Sequence, residues 1–249
     1  MRSTLTALLL LFTMSISAQP AKYDTVAVMI LDRMSAFIGE LNACSYSIET
    51  SYDTQEPGLG LIKHFNEGEV FLTGPNKMLV DVRGDKGHRS YRYNGSVIVY
   101  YNYTENNFGS VAAPATILET IDKINTDYGV EFPAADFFYP TFTDDLIASS
   151  ERISYLGKKM IDGKECFHIA AHSKQMDIQL WIANDATNLP VRYVIVYNND
   201  KEHVGQFEGT FTNWQINPDL PNAMFEFTPP PSARKLTLIA RTKKSFLTF

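Results

Sequence analysis

Cys166, His168 and His172 carry donor types that transition metals prefer, and their even spacing puts all three on one face of a strand. On a strand rising about 3.3 Å per residue, the Cα atoms of His168 and His172 are ~13 Å apart, too far to share one zinc ion comfortably. Cys166 with His168 could bind one, but no second pair at ligand spacing exists in the chain. Neither a metal nor another cofactor is therefore expected. Asp144 and Asp145, with Asp136 nearby, offer carboxylates for acid–base work. Adjacent acids at the start of a helical stretch serve first as caps, because the helix dipole and the free amides of the first turn favour negative charge there. Arg83-Gly84-Asp85 spells an adhesion tripeptide, but it falls where a strand runs into a glycine-bracketed turn and is read as chance. The Gly-x-Ser-x-Gly elbow, the phosphate-cradling Gly-x-x-x-x-Gly-Lys-Ser/Thr loop and His-Glu-x-x-His are absent from the sequence. No catalytic residue is assigned, and an enzymatic role is not expected.

The elements that would position such residues begin after an export signal. Met1-Arg2 is followed by an apolar run from Leu5 to Met14 and by the small-residue stretch Ser15-Ile16-Ser17-Ala18, ahead of Gln19 and Pro20. The run is about ten residues long against the roughly 20 that cross a bilayer, so residues 1–18 are read as a signal peptide cleaved after Ala18. No cysteine lies near that junction. A mature protein released in soluble form, with no integral membrane segment, is expected. Residues 19–249 are assigned to one domain, because no low-complexity linker divides them. Apolar residues make up 45% of the chain and charged residues 20%, the balance of a folded globular protein. A formal net charge of −6, with no basic stripe, excludes a general nucleic-acid binder and charge-driven docking on anionic head groups.

Past the signal the apolar period is helical: Ile30, Met34, Phe37, Ile38 and Leu41 form one stripe, which predicts a helix from Asp24 to Asn42. From Ser45 onward the period becomes two. Strands are predicted at Cys44–Tyr52, Gly60–Phe65, Gly68–Thr73, Lys77–Arg83, His88–Tyr93, Val97–Tyr103 and Asn107–Val111. Turn residues separate them at Asn66-Glu67-Gly68, Gly74-Pro75-Asn76, Gly84-Asp85-Lys86-Gly87 and Asn94-Gly95. Helical spacing returns over Ala115–Tyr128 and Phe142–Ser149. The aromatic segment between them, Phe132 to Pro140, is bracketed by prolines and is expected to form no regular element. Further strands are predicted at Ile153–Leu156, Glu165–His172, Asp177–Ala183, Val191–Asn198 and Gln206–Gln215, with a last one somewhere in Lys235–Phe249 after the Pro229-Pro230-Pro231 stop. Such regular punctuation implies a meander. The fold class is mainly β with helices (α+β), one curved antiparallel sheet interrupted by helices.

Alternation turns Met78, Val80 and Val82 to one face, as it does Tyr91 with Tyr93, Ile178 with Leu180 and Ile182, and Phe207 with Phe211. These faces build either a sealed core or the wall of a ligand cavity. In the second case the aromatic segment, with Phe132, Phe137, Phe138, Tyr139 and Phe142, is suited to cover the mouth as a lid. Cys44 and Cys166 both fall on predicted strands in an exported chain; a disulfide between them and two buried free thiols are the alternatives.

Four stretches recur in a familiar order: Gly68 to Met78 (Gly-Glu-Val-Phe-Leu-Thr-Gly-Pro-Asn-Lys-Met), Tyr93-Asn94-Gly95-Ser96-Val97, Leu189-Pro190-Val191-Arg192, and Asn213-Trp214 through Leu220-Pro221 to Phe225-Glu226-Phe227-Thr228-Pro229-Pro230. In this the chain resembles the periplasmic lipoprotein-carrier superfamily (LolA, LolB and LppX-like proteins), and most closely the predicted periplasmic proteins of domain of unknown function 2092. The resemblance implies a half-open antiparallel β-barrel with helices plugging its mouth and an apolar cavity that receives acyl chains. It also implies the periplasm of a Gram-negative-type envelope and a non-catalytic binding or carrier role for a lipid, a lipoprotein acyl chain or another apolar small molecule. The alternative is an envelope sensor acting through a protein partner. A monomer is expected.

Overall fold

Asp24 sets the first helix: its backbone is extended and its carboxylate accepts the Val26 amide at 2.8 Å, capping α1 (Thr25–Gly39). Ala27, Ile30, Leu31, Met34 and Ile38 form the buried stripe. The helix stops before the predicted Asn42. Its last turn tightens, with the Glu40 amide reaching Phe37 and the Leu41 amide reaching Ile38, and the chain passes directly into β1 (Ala43–Glu56). This computed structural model describes residues 22–198 and 204–241. The export signal read at 1–18 lies outside the described residues. Among those described, no helix is long and apolar enough to cross a membrane.

β1 pairs along its whole length with β2 (Gly60–Thr73). The turn expected at Asn66-Glu67-Gly68 does not occur. Asn66 bonds Thr50 across the ladder at 3.4 Å, and Gly68 lies opposite Ile48, whose Cγ2 sits 3.2 Å from where a Cβ would be. That glycine serves close approach of side chains on the sheet face. The real turn uses Pro57-Gly58-Leu59, with Gly58 at φ 79°. β3 (Lys77–Gly84), β4 (Gly87–Tyr93), β5 (Val97–Asn102) and β6 (Asn107–Ala112) continue the meander. At the β4–β5 turn the Asn94 side chain accepts the Ser96 and Val97 amides.

The connection from β6 carries α2 (Ile117–Tyr128), capped by Thr116 and closed by Gly129 at φ 66°. A single 3-10 turn, Ala135–Phe138, follows inside the aromatic segment expected to be irregular. Pro133 and Pro140 bracket it, but the four residues within carry every amide such a turn needs. Then come α3 (Phe142–Ser149), β7 (Arg152–Ile161), β8 (Lys164–His172), β9 (Met176–Ala183), β10 (Pro190–Tyr197) and β11 (Gln206–Ile216). β7 passes the predicted end at Leu156 because an irregularity at Gly157, φ 84°, lets pairing resume at Lys158.

With the short β12 (Arg234–Lys235) at one edge, the sheet order is β12-β6-β5-β4-β3-β2-β1-β11-β10-β9-β8-β7, an open, curved, antiparallel array of two meanders joined where β1 pairs β11. Among the named strands of the described residues, the last one breaks the antiparallel rule. After β11 the chain crosses the outer face, where Phe227 packs on Tyr101 and Phe108, and β12 (Arg234–Lys235) pairs parallel to β6. The strand sought in Lys235–Phe249 is therefore two residues long and starts at Arg234; residues 242–249 lie outside the described ones. α1 packs against β7, α3 and the 3-10 turn, closing the β7–β10 half of the inner face.

Candidate ligand cavity

Register, more than any single residue, builds the site. Inner-facing side chains of β1 to β5 align in rows across the sheet: Cys44, Leu72, Met78, Tyr93 and Ile98; then Tyr46, Val70, Val80, Tyr91 and Tyr100; then Ile48, Gly68, Val82, Arg89 and Asn102. Thr50 with Asn66 and Tyr52 with His64 continue the series toward the tip of the β1–β2 hairpin. Polarity thus rises along the strands, from apolar beside α1 to hydroxyl, amide and cationic at the other end. α2 lies over these rows through Ile117, Leu118 and Ile121, and Val130, Phe132 and Phe138 extend the cover. Between sheet and cover is a cavity of about 1,010 Å³, at the upper end of what small-molecule sites enclose.

Met78, Val80, Val82, Tyr91 and Phe207 face this space. Tyr93 does not: it is fully buried beyond the cavity's end, and its hydroxyl donates to the Pro114 carbonyl at 2.5 Å. Leu180, Ile182 and Phe211 also lie in the filled core, at 2%, 0% and 2% exposure, and Ile178 packs against it. They share the inner face of the sheet as predicted. What differs is the cover, because the β7–β10 half is sealed by α1 and the 3-10 turn while α2 stands off β1 to β4.

The aromatic segment divides in the same way. Phe132 and Phe138 line the cavity. Phe137 is an anchor, its ring 5.0 Å from that of Phe142, 5.4 Å from Tyr193 and 5.6 Å from Phe211. Tyr139 donates to Asp122 at 2.6 Å and ties the segment to α2. Phe137, Tyr139 and Phe142 therefore hold the cover in place and do not face the cavity. Tyr46, Ile48 and Val70 were not assigned to the site from the sequence, although alternation through Cys44–Tyr52 and the Gly74-Pro75-Asn76 turn together set their rows.

The wall offers little chemistry. Burial pushes the Cys44 thiol up to about 12 and raises the Tyr46 and Tyr91 phenols, so all three stay neutral at physiological pH. In this structure Cys44 and Cys166 are free and lie in separate apolar clusters. Cys166 points to the outer face with Ala183, Val191 and Trp181. His168 stacks on Trp181 and contacts Gln179 at 3.0 Å, and His172 meets Asp177. Among the described residues no cluster of three or more His, Cys, Asp or Glu could hold a metal ion. Asp144 and Asp145 occupy the first turn of α3, where Asp145 accepts the Thr141 hydroxyl at 2.7 Å. Asp136 titrates above the usual carboxylate range because it is buried, with Glu131 adding to the effect.

No curated protein matches the sequence. Among solved structures, lipoprotein LppX of Mycobacterium tuberculosis is 14% identical and superimposes with a TM-score of 0.50 over 80% of this chain and 98% of its own. An uncharacterized conserved protein from Thermus thermophilus is 12% identical, with a TM-score of 0.47 over 85% of this chain and 98% of that one. The first of these likenesses establishes an LppX-like fold. The profile of the predicted periplasmic proteins DUF2092 matches residues 27–239, a span that takes in the sheet, the cavity and its cover, and the chain belongs to that family.

Proposed function

We propose that this protein is a non-catalytic periplasmic carrier or binding protein for a lipid, an acyl chain or another apolar molecule, which it takes up between β1–β4 and α2. The observation that carries this is the 1,010 Å³ space walled by largely apolar rows of the sheet on one side and by α2 and the aromatic segment on the other. Interiors pack with few voids larger than a water molecule. A hollow of this size in an otherwise well-packed core is a site kept for an occupant. The neutral thiol and phenols of the wall support binding over chemistry.

Organic extraction of protein purified without detergent, followed by lipid mass spectrometry, tests the proposal. About one apolar molecule per chain is expected, released on unfolding. Purified protein that yields none, and that also fails to take up any acyl-chain probe, would remove it.

A further inference from the structure

We infer that the occupant is an acidic amphiphile whose carboxylate or phosphate is held by the guanidinium of Arg89, with its apolar chain along the rows of Val80 and Met78. This inference rests on the cavity being a binding site and adds the chemistry of its ligand.

Arg89 stands in the third inner row, beside Val82 and in line with Ile48 and Gly68, and it lines the cavity. Strand alternation separates it from the other arginine of β4. Arg92 faces outward, where its terminal nitrogens donate to Ser90 and to the Tyr103 hydroxyl. Arg89 differs at its Nε, which is buried and meets no hydrogen-bond partner among the described residues. A guanidinium cannot shed its proton, so its desolvated N–H needs an acceptor that the wall does not provide. Two carboxylates also line the cavity: Asp53 is committed to Lys63 at 2.9 Å and to the Gln206 amide at 2.8 Å, and Glu131 is not without a partner.

Lys86 reinforces the polarity. It lines the same end of the cavity, its ammonium 5.9 Å from the Tyr52 ring. In a chain of net charge −6, two cations thus lie at the polar end of an apolar slot. A planar fork with parallel N–H groups matches a carboxylate or phosphate, and one aimed into an apolar space binds that anion with little competition from water. A neutral lipid could offer an ester or hydroxyl oxygen to the Nε but would leave the guanidinium charge uncompensated.

Displacement of a bound apolar dye by matched ligands tests this on the full protein at pH 8: oleic acid against methyl oleate, and oleoyl lysophosphatidate against monooleoylglycerol. Within at least one pair the acid should displace the dye at a concentration ~tenfold or more below its neutral partner, the scale of one charge-assisted hydrogen bond. The pair with the wider gap names the head group. In Arg89→Leu the gap should close while affinity for the neutral partner holds, and Arg89→Lys should restore part of it. Equal affinity for acid and neutral partner in the wild type, or a gap that survives in Arg89→Leu, would overturn the assignment and leave the carrier reading standing. Failure of the dye and all four ligands to bind would remove both. If Arg89→Leu does not fold, Arg89→Gln takes its place, and the wild-type comparison already decides between the outcomes.

Discussion

Placing tryptophan at Val82 and phenylalanine at Leu180 separates a hollow wall from a filled core on one sheet. Leu180 is 2% exposed and packed within the main core, so a larger ring there has to displace its neighbours. Such overpacking costs about 1–3 kcal/mol. Val82 is half-buried at the edge of the core and faces a space of about 1,010 Å³, of which an indole fills only a small part. Val82→Trp should therefore stay within ~0.5 kcal/mol of wild type, the range of a surface substitution. It should also weaken binding of an apolar fluorescent dye at least tenfold. Urea unfolding followed by circular dichroism gives the stabilities, with m unchanged in both variants, and thermal melts should show Leu180→Phe lowered by about 2–4 °C for each kcal/mol. A loss of 1–3 kcal/mol in Val82→Trp would mean that the space beside Val82 is closed in solution, and the reasoning from the rows would fail.

Phe137→Ala should cost about 3–5 kcal/mol, because the ring is buried among three others; it should also loosen the cover, seen as faster proteolysis of the 132–140 segment. Thiol titration of the unfolded, unreduced protein should count two thiols per chain, whereas in the folded protein Cys44 should react slowly at pH 8, since a thiol titrating near 12 is only ~10⁻⁴ thiolate there. Asp177 is held below its ordinary value of 3.8 by hydrogen bonds from Asn198 and then His172. A depressed carboxylate contributes stability that is complete above its unfolded pKa and is lost as pH falls through the folded one. Melting temperature against pH should therefore fall less steeply below about pH 4 in Asp177→Asn than in wild type.

The strands were legible because alternation at Met78, Val80 and Val82 and turn residues such as Asn94-Gly95 act locally. Alternation reports which face a side chain takes but not what stands opposite it. Val82 and Leu180 follow the same pattern, yet one is half-buried and faces a cavity beneath α2 and the other packs in a filled core. That difference lies in how far each helix stands from the sheet, a tertiary property with no local signal. Gly68 misled for a related reason, since Asn-Glu-Gly reads equally as a turn and as close approach across a long ladder. Arg89 shares the face that alternation gives Tyr91 and Tyr93, but an arginine in Gly-His-Arg-Ser-Tyr-Arg-Tyr carries no local signal that this face opens onto a cavity. The two cysteines sat on strands, as expected, but on opposite faces of the sheet, which alternation could show only once the inner face was known.

Photo-crosslinking with a fatty acid that bears a diazirine near its methyl end tests the central claim most directly, because it reports where the chain lies. After irradiation and digestion, adducts should fall on peptides carrying Tyr46, Val70, Val80, Tyr91 and the α2 residues Ile117 and Ile121, at about one label per chain, and excess unlabelled oleic acid should abolish them. Labels confined to the outer groove between α1 and α3 that Met29 and Ile147 border, or scattered without saturation, would contradict a cavity-bound ligand.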